Sequence, residues 1–258
     1  MTDPKISFRN VTKTFGDGPN AFTALQDLNL DIADGEIVTV VGPSGCGKST
    51  AMNIVAGLID VTSGQCLVDG KPVHGPGPDR GVIFQQYALF PWLTVRDNVE
   101  FGLKLQGLGK QERRKTAMHY LGLVGLADFA DAYPKTLSGG MKQRCAIARA
   151  YAVNPSVLLM DEPFGALDAL TRVKLQDQLL DTWSQDRRTV MFITHDVDEA
   201  VYIAHRVIVL AAKPGRLQEI IDVDLPFPRN DDIRLSPEFT EIRNKVWRAV
   251  YHRDAAAA

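Results

Sequence analysis

Residues 42–50 read Gly-Pro-Ser-Gly-Cys-Gly-Lys-Ser-Thr, which fits the pattern G-x-x-x-x-G-K-[ST]. They directly follow the continuous apolar run 37–41, and a helical pattern continues behind them to about Gly57. Between a strand and a helix, glycines let backbone N–H groups turn inward and form a nest for anions. The stretch therefore predicts a binding site for the phosphates of a nucleoside triphosphate.

This phosphate loop (residues 42–50) supplies several candidate ligands. Lys48 would place its charge at the β- and γ-phosphates, the Ser49 hydroxyl would bind Mg²⁺, and Thr50 would donate to the phosphate chain. A glycine-rich turn with a chance lysine is the alternative, and the strand before and the helix after disfavour it. The predicted nucleotide-binding residues of the loop are Gly42, Pro43, Ser44, Gly45, Cys46, Gly47, Lys48, Ser49 and Thr50.

Further strand-like apolar runs alternate with helical patterns along the chain. They span residues 81–84, 157–160, 190–194 and 207–210. A run that is apolar at every position suits a strand covered on both faces, as in a parallel sheet, so the alternation predicts an α/β core. Residues 5–41 indicate short strands with turns, and the strand-free stretch at about 95–150 indicates an inserted helical segment.

Polar residues follow three of these runs where the strands are expected to end, which is where open parallel sheets bind ligands. Asp161 is a candidate Mg²⁺ ligand, and Glu162 is a candidate base for an attacking water. Gln85 follows another strand, and His195 follows a third as a candidate γ-phosphate contact. A helix-capping acid pair and a buried structural histidine are the alternatives, and the phosphate loop in the same chain favours the catalytic interpretation.

A second helix start with available N–H groups is predicted at residues 137–143, Leu-Ser-Gly-Gly-Met-Lys-Gln. Strong helix formers follow, and Ser138 with two glycines would leave backbone N–H groups open to a phosphate. Taken alone, this stretch indicates an ordinary helix cap. Two phosphate-cradling helix starts in one chain instead indicate two bound nucleotides, or nucleotides shared with another copy of the chain.

With these motifs in this order, the chain resembles the ATP-binding subunit of an ABC transporter. The matching stretches are residues 42–50, Gln85, 137–143, 157–162, 166–168 (Ala-Leu-Asp) and His195. The resemblance implies a P-loop NTPase (RecA-like) α/β core with an antiparallel β subdomain and an inserted α-helical subdomain. The family's signature reads Leu-Ser-Gly-Gly-Gln, and Met141 stands at its last position here, which removes an amide but should leave the backbone cradle intact.

The resemblance also implies roles for single residues, with ATP and Mg²⁺ as cofactors. Phe15 would stack on adenine, and Asp168 would link two sites across a dimer. In the family, two subunits face head to tail, so that each ATP lies between one phosphate loop and the other subunit's signature turn (residues 137–143). The expected catalytic residues are Glu162, His195 and Gln85; the expected Mg²⁺ ligands are Ser49, Gln85 and Asp161; the residues expected to act in trans are Leu137, Ser138, Gly139, Gly140, Met141, Lys142 and Gln143.

Within the family, residues 84–95, Phe-Gln-Gln-Tyr-Ala-Leu-Phe-Pro-Trp-Leu-Thr-Val, are similar to the ATPases of nitrate, sulfonate and taurine importers. This resemblance predicts an ATPase that powers the import of a small anion. Its expected partners are a second copy of itself, membrane-spanning permease subunits that dock near residues 85–93 (the docking segment), and indirectly a periplasmic or extracellular solute-binding protein. The expected location is the cytoplasmic side of the inner cell membrane, where the permease holds the chain peripherally.

Composition narrows the class of protein further. The 258 residues carry 29 Lys and Arg against 31 Asp and Glu, a net charge of −2, which argues against a nucleic-acid binder that relies on basic residues. The sequence has no apolar run of bilayer-spanning length and no signal-peptide core. Its three cysteines form no metal-ligand pattern, so we expect a reduced, cytosolic protein.

The predicted organisation is an ABC ATPase domain over 5–225, a C-terminal helical extension over 226–254 and an alanine tail over 255–258. The helical subdomain would occupy approximately 95–150. Ser236 and Pro237 predict the start of a last helix, with one apolar stripe made of Phe239, Ile242, Val246 and Val250. The alternative functions are a soluble ABC-type ATPase without transport, an ABC exporter ATPase, and a P-loop kinase or GTPase, which would have no use for the signature turn.

Overall fold

The computed structural model describes residues 3–165 and 167–251. They form two compact units, one built from the described residues up to 77 and from 183 onward, the other from residues 78–182. The strands are β1 (Ile6–Phe15), β2 (Phe22–Ile32), β3 (Ile37–Val41), β4 (Ser63–Val68), β5 (Lys71–Pro72), β6 (Arg80–Ile83), β7 (Val157–Asp161), β8 (Thr189–Ile193), β9 (Arg206–Ala211) and β10 (Arg216–Asp222). The α-helices are α1 (Lys48–Val55), α2 (Val95–Leu105), α3 (Lys110–Leu123), α4 (Gly139–Ala152), α5 (Ala169–Asp186), α6 (Val197–Ile203), α7 (Asp231–Arg234) and α8 (Pro237–Tyr251).

The first unit contains an antiparallel sheet in the order β2-β1-β4-β5. The expectation of short strands over residues 5–41 was wrong for β1 and β2, which have ten and eleven residues. Asn10 and Asp27 are typical turn formers, and here each adopts a left-handed backbone, with φ of 49°, inside a strand. The pairing of β1 with β2 shifts register at several points, so these strands continue through the irregularities and do not end there.

The second set of strands in the first unit runs in the order β10-β9-β3-β8. β3 pairs in parallel with β8 and with β9, while β10 pairs antiparallel with β9. Every residue of β3 and β8 is buried, which confirms the prediction of strands covered on both faces. β10 is not predicted from the sequence, because residues 216–222 show no apolar run and only Ile221 among them is buried.

The second unit holds the parallel pair β6 and β7, in which Gly81 lies opposite Leu158. Both strands lie within one residue of their predicted bounds. α2 packs against α3 and α4. The Thr94 hydroxyl accepts the N–H of Asp97 at 3.1 Å and thereby caps the start of α2.

The C-terminal segment ends in α8, which packs against α6 and β9. Its predicted start is confirmed, because the Ser236 hydroxyl accepts the N–H of Phe239 at 3.1 Å. The predicted stripe is only partly buried: Phe239 and Val246 are buried, whereas Ile242 and Val250 are half-exposed. Ala166, residues 252–254 and the alanine tail lie outside the described residues. Within the described part of the chain, no helix has the length and apolar character needed to cross a membrane.

Candidate nucleotide-binding site

The phosphate loop joins β3 to α1 in the first unit. Gly47 caps α1 with φ of 89°, and Lys48 is the first helical residue. Gly42 has φ of 151°, and a Cβ atom there would lie 2.4 Å from the carbonyl oxygen of Leu210, so a side chain cannot fit without moving backbone. The predicted strand–loop–helix unit is therefore present, and its glycines are required by contact and conformation.

Lys48 is bound to its own loop. Its Nζ donates to the carbonyl oxygens of Gly42 at 2.7 Å and of Pro43 at 3.2 Å, and lies 3.7 Å from the buried Cys46 Sγ. These contacts hold a positive charge at the loop, next to the helix N-terminus. A phosphate at this position would meet a cation and a helix dipole together.

His195 follows β8, the parallel neighbour of β3. The N–H of Thr194 donates to the carbonyl oxygen of Val40 at 3.3 Å, so His195 lies at the same sheet edge as the start of the phosphate loop. The Asp196 carboxylate accepts the N–H of Glu199 at 3.1 Å and thereby caps α6. His195 is thus an exposed side chain on a fixed strand-to-helix turn, and its γ-phosphate contact stays a prediction.

Three predicted residues of the second unit lie where its two parallel strands end. Asp161 is the last residue of β7, and Glu162 follows it. The Gln85 Nε2 donates to the Glu162 Oε2 at 3.2 Å, so residues far apart in sequence meet at this edge. Glu162 has φ of 45°, a left-handed conformation that costs free energy in a residue with a side chain and is concentrated at functional sites.

The signature turn begins α4, as predicted. The Ser138 hydroxyl accepts the N–H of Met141 at 3.3 Å, and Ser138 and Gly139 are exposed. Leu137 and Gln143, in contrast, are 6% and 1% exposed. These two side chains pack inside their own unit, whereas Ser138 and Gly139 are exposed. That residues 137–143 act on a second copy stays a prediction.

Comparison with known proteins identifies the family. Residues 25–165 match the family model described as ABC transporter. This chain belongs to that family. A provisionally named ATP-binding protein of Brucella abortus (strain 2308) is 73% identical over 250 residues, which cover 97% of this chain and 95% of the relative.

Two relatives with transport names are also similar over nearly the whole chain. A nitrate import ATP-binding protein of Synechocystis sp. is 48% identical over 247 residues, which cover 93% of each chain. An aliphatic sulfonates import ATP-binding protein of Bacillus licheniformis is 48% identical over 241 residues, which cover 93% of this chain and 92% of the relative. The predicted resemblance to nitrate and sulfonate import ATPases is thereby confirmed.

The fold has a close match among solved structures. A dimeric ATP-binding cassette in a post-hydrolysis state, bound to ADP and Pi, superimposes with a TM-score of 0.79 at 37% sequence identity. The match covers 86% of this chain and 100% of the other. The predicted P-loop NTPase fold is confirmed, and the chain is an ATP-binding ABC ATPase.

Two further residues predicted for the ABC ATPase site are exposed. Phe15 ends β1 with 42% of its surface exposed, and the Lys13 Nζ lies 5.0 Å from its ring centroid. Asp168 accepts the N–H of Thr171 at 3.0 Å, and bonds from Thr171 lower the pKa of the Asp168 carboxyl. Stacking on adenine and linkage across a dimer stay predictions for these two residues.

A glycine that no sequence pattern singles out supports the phosphate loop of this ABC ATPase. A Cβ atom on Gly215 would lie 2.3 Å from the carbonyl oxygen of Cys46 and 2.6 Å from that of Ala24. Its own N–H donates to Ala24 at 3.1 Å. The Lys-Pro-Gly turn at residues 213–215 is a local signal, but only the tertiary contact shows why glycine is needed there.

Proposed function

We propose that this chain is the ATP-hydrolysing subunit of an importer for a small anion of the nitrate, sulfonate or taurine class. The observation that carries the proposal is its 48% identity, over 93% of its length, to one nitrate and one sulfonate import ATP-binding protein. The solute itself would be selected by other subunits. The task of this chain is then to convert ATP binding and hydrolysis into movement.

Hydrolysis would use the phosphate loop and the polar residues that follow the parallel strands. Glu162 would accept a proton from the water that attacks the γ-phosphate, and the Gln85 amide, already bonded to Glu162, would orient that carboxylate. Lys48 would offset negative charge that develops on the phosphates, and His195 would contact the γ-phosphate. The products are ADP and inorganic phosphate, because water supplies the new oxygen and the bond to the β-phosphate oxygen breaks.

Mg²⁺ fits the residues expected to hold it. Ser49, Gln85 and Asp161 offer hydroxyl, amide and carboxylate oxygens, the ligand types that Mg²⁺ prefers. When bound, Mg²⁺ would offset charge on the β- and γ-phosphates. Each of these side chains is at least partly exposed, so none has to leave a packed core to reach the ion.

Two observations support the proposed partners: Ser138 and Gly139 of the signature turn are exposed, and the two relatives are named as import ATP-binding proteins. A second copy would meet this chain head to tail, so that its nucleotide reaches Ser138 and Gly139, and ATP binding would close the pair. Permease subunits would dock on residues 85–93, where Trp92 is 70% exposed, and a solute-binding protein would act through them. The chain would thus be held peripherally at the cytoplasmic side of the membrane.

The variant Glu162→Gln tests both hydrolysis and transport. It should bind ATP as the wild type does, lose about 10³-fold in turnover with the base removed, and accumulate as an ATP-dependent dimer. Size-exclusion chromatography with and without ATP measures the dimer. Cells that depend on the variant should fail to take up labelled nitrate, taurine or ethanesulfonate, whichever the wild type supports.

The control is Glu112→Gln, an exposed carboxylate on α3. It should leave turnover and uptake unchanged. Wild-type turnover in Glu162→Gln would show that Glu162 is not the base. Wild-type cells that import none of the three anions better than cells lacking the chain would refute the proposed solute class and favour an ABC ATPase of another role.

A further inference from the structure

An arginine on α4 holds the backbone of the docking segment. The Arg149 Nη1 donates to the carbonyl oxygen of Ala88 at 2.7 Å, and its Nη2 donates to that of Tyr87 at 3.5 Å. The guanidinium carbon also lies 5.6 Å from the centroid of the Phe90 ring. One side chain of the helix that begins at the signature turn therefore contacts three residues of the segment expected to meet the permease.

The docking segment also meets the first residue of α4. A Cβ atom on Gly139 would lie 2.9 Å from the Tyr87 hydroxyl oxygen, so this hydroxyl occupies the space beside the glycine. Gly139 and Arg149 stand about 15 Å apart along the helix axis, at a rise of about 1.5 Å per residue. The segment thus contacts α4 at two separated points, one of them next to Ser138.

Asn98 on α2 fixes the other end of the same segment. Its side chain is fully buried, and its Oδ1 accepts the N–H of Phe90 at 2.8 Å. Its Nδ2 lies within hydrogen-bond distance of the carbonyl oxygens of Phe90, Leu93 and Thr94, at 3.1, 3.2 and 2.9 Å. Because a buried, fully bonded amide is costly to disrupt, residues 90–94 should move as a unit, with Trp92 exposed on it.

The Arg149 contact is hard to stretch. The side chain is half-buried, and burial lowers the pKa of Arg149, so the guanidinium has lost part of its hydration and relies on the two carbonyl acceptors. Ala88 has φ of 45°, a left-handed turn that places its carbonyl oxygen in this geometry. If the segment moved alone, the half-buried guanidinium would lose both carbonyl acceptors, so the segment and α4 should shift together.

We propose that Arg149 is a positioning residue that couples the docking segment to the signature turn. A permease that displaces residues 85–93 would move Ser138 and Gly139 through Arg149 and Tyr87. By reciprocity, a nucleotide captured at the signature turn would restrain the docking segment. This inference rests on the proposed function, because the coupling serves transport only if two copies share a nucleotide and a permease docks on residues 85–93.

Hydrogen–deuterium exchange on the Glu162→Gln protein tests the coupling without the permease. Adding ATP and Mg²⁺ should form the dimer and slow exchange of the amides in residues 86–94 about fivefold or more, the size of a typical coupling between sites. Arg149→Leu in the same background should abolish this slowing. Arg149→Lys should retain part of it, because an ammonium keeps the charge but cannot match two carbonyl oxygens with a planar fork.

The chain offers a matched control on the same helix. The Arg144 Nη1 donates to the carbonyl oxygens of Val124 at 2.8 Å and Gly125 at 3.4 Å, a turn outside the docking segment. Arg144→Leu removes an equivalent pair of contacts and should leave the ATP-dependent slowing intact. A loss of equal size in both variants would mean that Arg149 acts only through general stability.

The outcomes separate this inference from the proposed function. If the dimer forms but exchange in residues 86–94 does not respond to ATP, or responds equally in Arg149→Leu, the coupling role is refuted. If no dimer forms in Glu162→Gln, as size-exclusion chromatography shows independently, the proposed function fails and this inference fails with it. Should Arg149→Leu not fold, a response in Arg149→Lys as large as with Arg149 would refute the proposal.

Discussion

The two helix starts expected to hold phosphate differ in how their first backbone N–H groups are occupied. At α1 the capping residue is Gly47, which has no side chain that could accept a backbone N–H. Lys48 brings a positive charge into the first turn. At α4, the Ser138 hydroxyl already accepts the N–H of Met141. The first start leaves its donors available and adds a cation, whereas the second has one donor bonded in advance.

This difference indicates that the two helix starts have different functions in binding a nucleotide. A helix N-terminus with a lysine can bind a phosphate by itself, because dipole, N–H groups and charge act on the same atoms. A capped start binds an anion more weakly and is suited to complete a site that another surface has begun. Changes at α1 should therefore remove nucleotide binding, and changes at α4 should remove turnover after binding.

The largest effect is expected for Lys48→Ala. Charge-assisted hydrogen bonds contribute up to about 3 kcal/mol each, so the affinity for ATP should fall about 100-fold, and turnover should fall at least as far. Equilibrium binding of a fluorescent ATP analogue measures the first quantity. Lys142→Ala, in the first turns of α4, is the control: equal losses of affinity in the two variants would refute the contrast between the helix starts.

A smaller effect, on turnover alone, is expected for Ser138→Leu. The leucine would cover the exposed start of α4 and abolish the cap, so ATPase activity should fall about 100-fold while the affinity for ATP stays within about threefold. Ser138→Ala separates the two causes, since it removes the cap, worth about 1 kcal/mol, without adding bulk. Full activity in Ser138→Leu would show that the α4 start takes no part in hydrolysis.

The two helix starts were predictable because their signals are local. An apolar strand, a glycine-rich loop and a helix former lie within fifteen residues at β3 and α1, and Ser138 with its glycines precedes a run of helix formers. Gln85 and Glu162 could be matched by position after parallel strands. In each case the sequence carries the structural reason within a short window.

Other features depend on contacts that no short window contains. β4 places only Cys66 and Val68 in the core, so its apolar signal is too sparse, and its pairing with β1 makes it a strand. Gln143 belongs to the signature turn, which is expected to contact a second copy, yet its side chain is buried. The role of Arg149 is defined by two carbonyl oxygens some 60 residues earlier in the chain, which hydropathy and spacing do not reveal.

The smallest effect is expected for the pH dependence of stability at the start of β3, the strand that leads into the phosphate loop. There the His205 Nδ1 accepts the N–H of Ile37, the first residue of β3, at 3.1 Å. Burial lowers the pKa of His205, the positive charges of Arg229 and Arg187 act in the same direction, and Glu36 opposes them. The imidazole lies against the rings of Trp183 and Phe227, at 4.7 and 4.8 Å between centroids. Protonation would break the bond to β3 and place a third cation in this cluster.

The sign of the pH effect follows from linkage. The pKa of His205 is lower in the folded chain than the value of about 6.5 in the unfolded chain, so below about pH 7 the unfolded chain binds more protons. The free energy of unfolding should therefore fall as the pH is lowered through 6.5, until the folded imidazole is protonated as well. Urea unfolding at pH 7.5 and 5.5 measures this change.

His205→Gln should flatten this pH dependence, whereas His119→Gln, at an exposed position on α3, should leave it unchanged. Because β3 leads directly into the phosphate loop, we expect ATP affinity to weaken over the same pH interval in the wild type, and less in His205→Gln. The exchange of α4 amides should be insensitive to the His205 substitution. A pH dependence of unfolding that is equally steep in His205→Gln would show that this histidine does not control the base of β3.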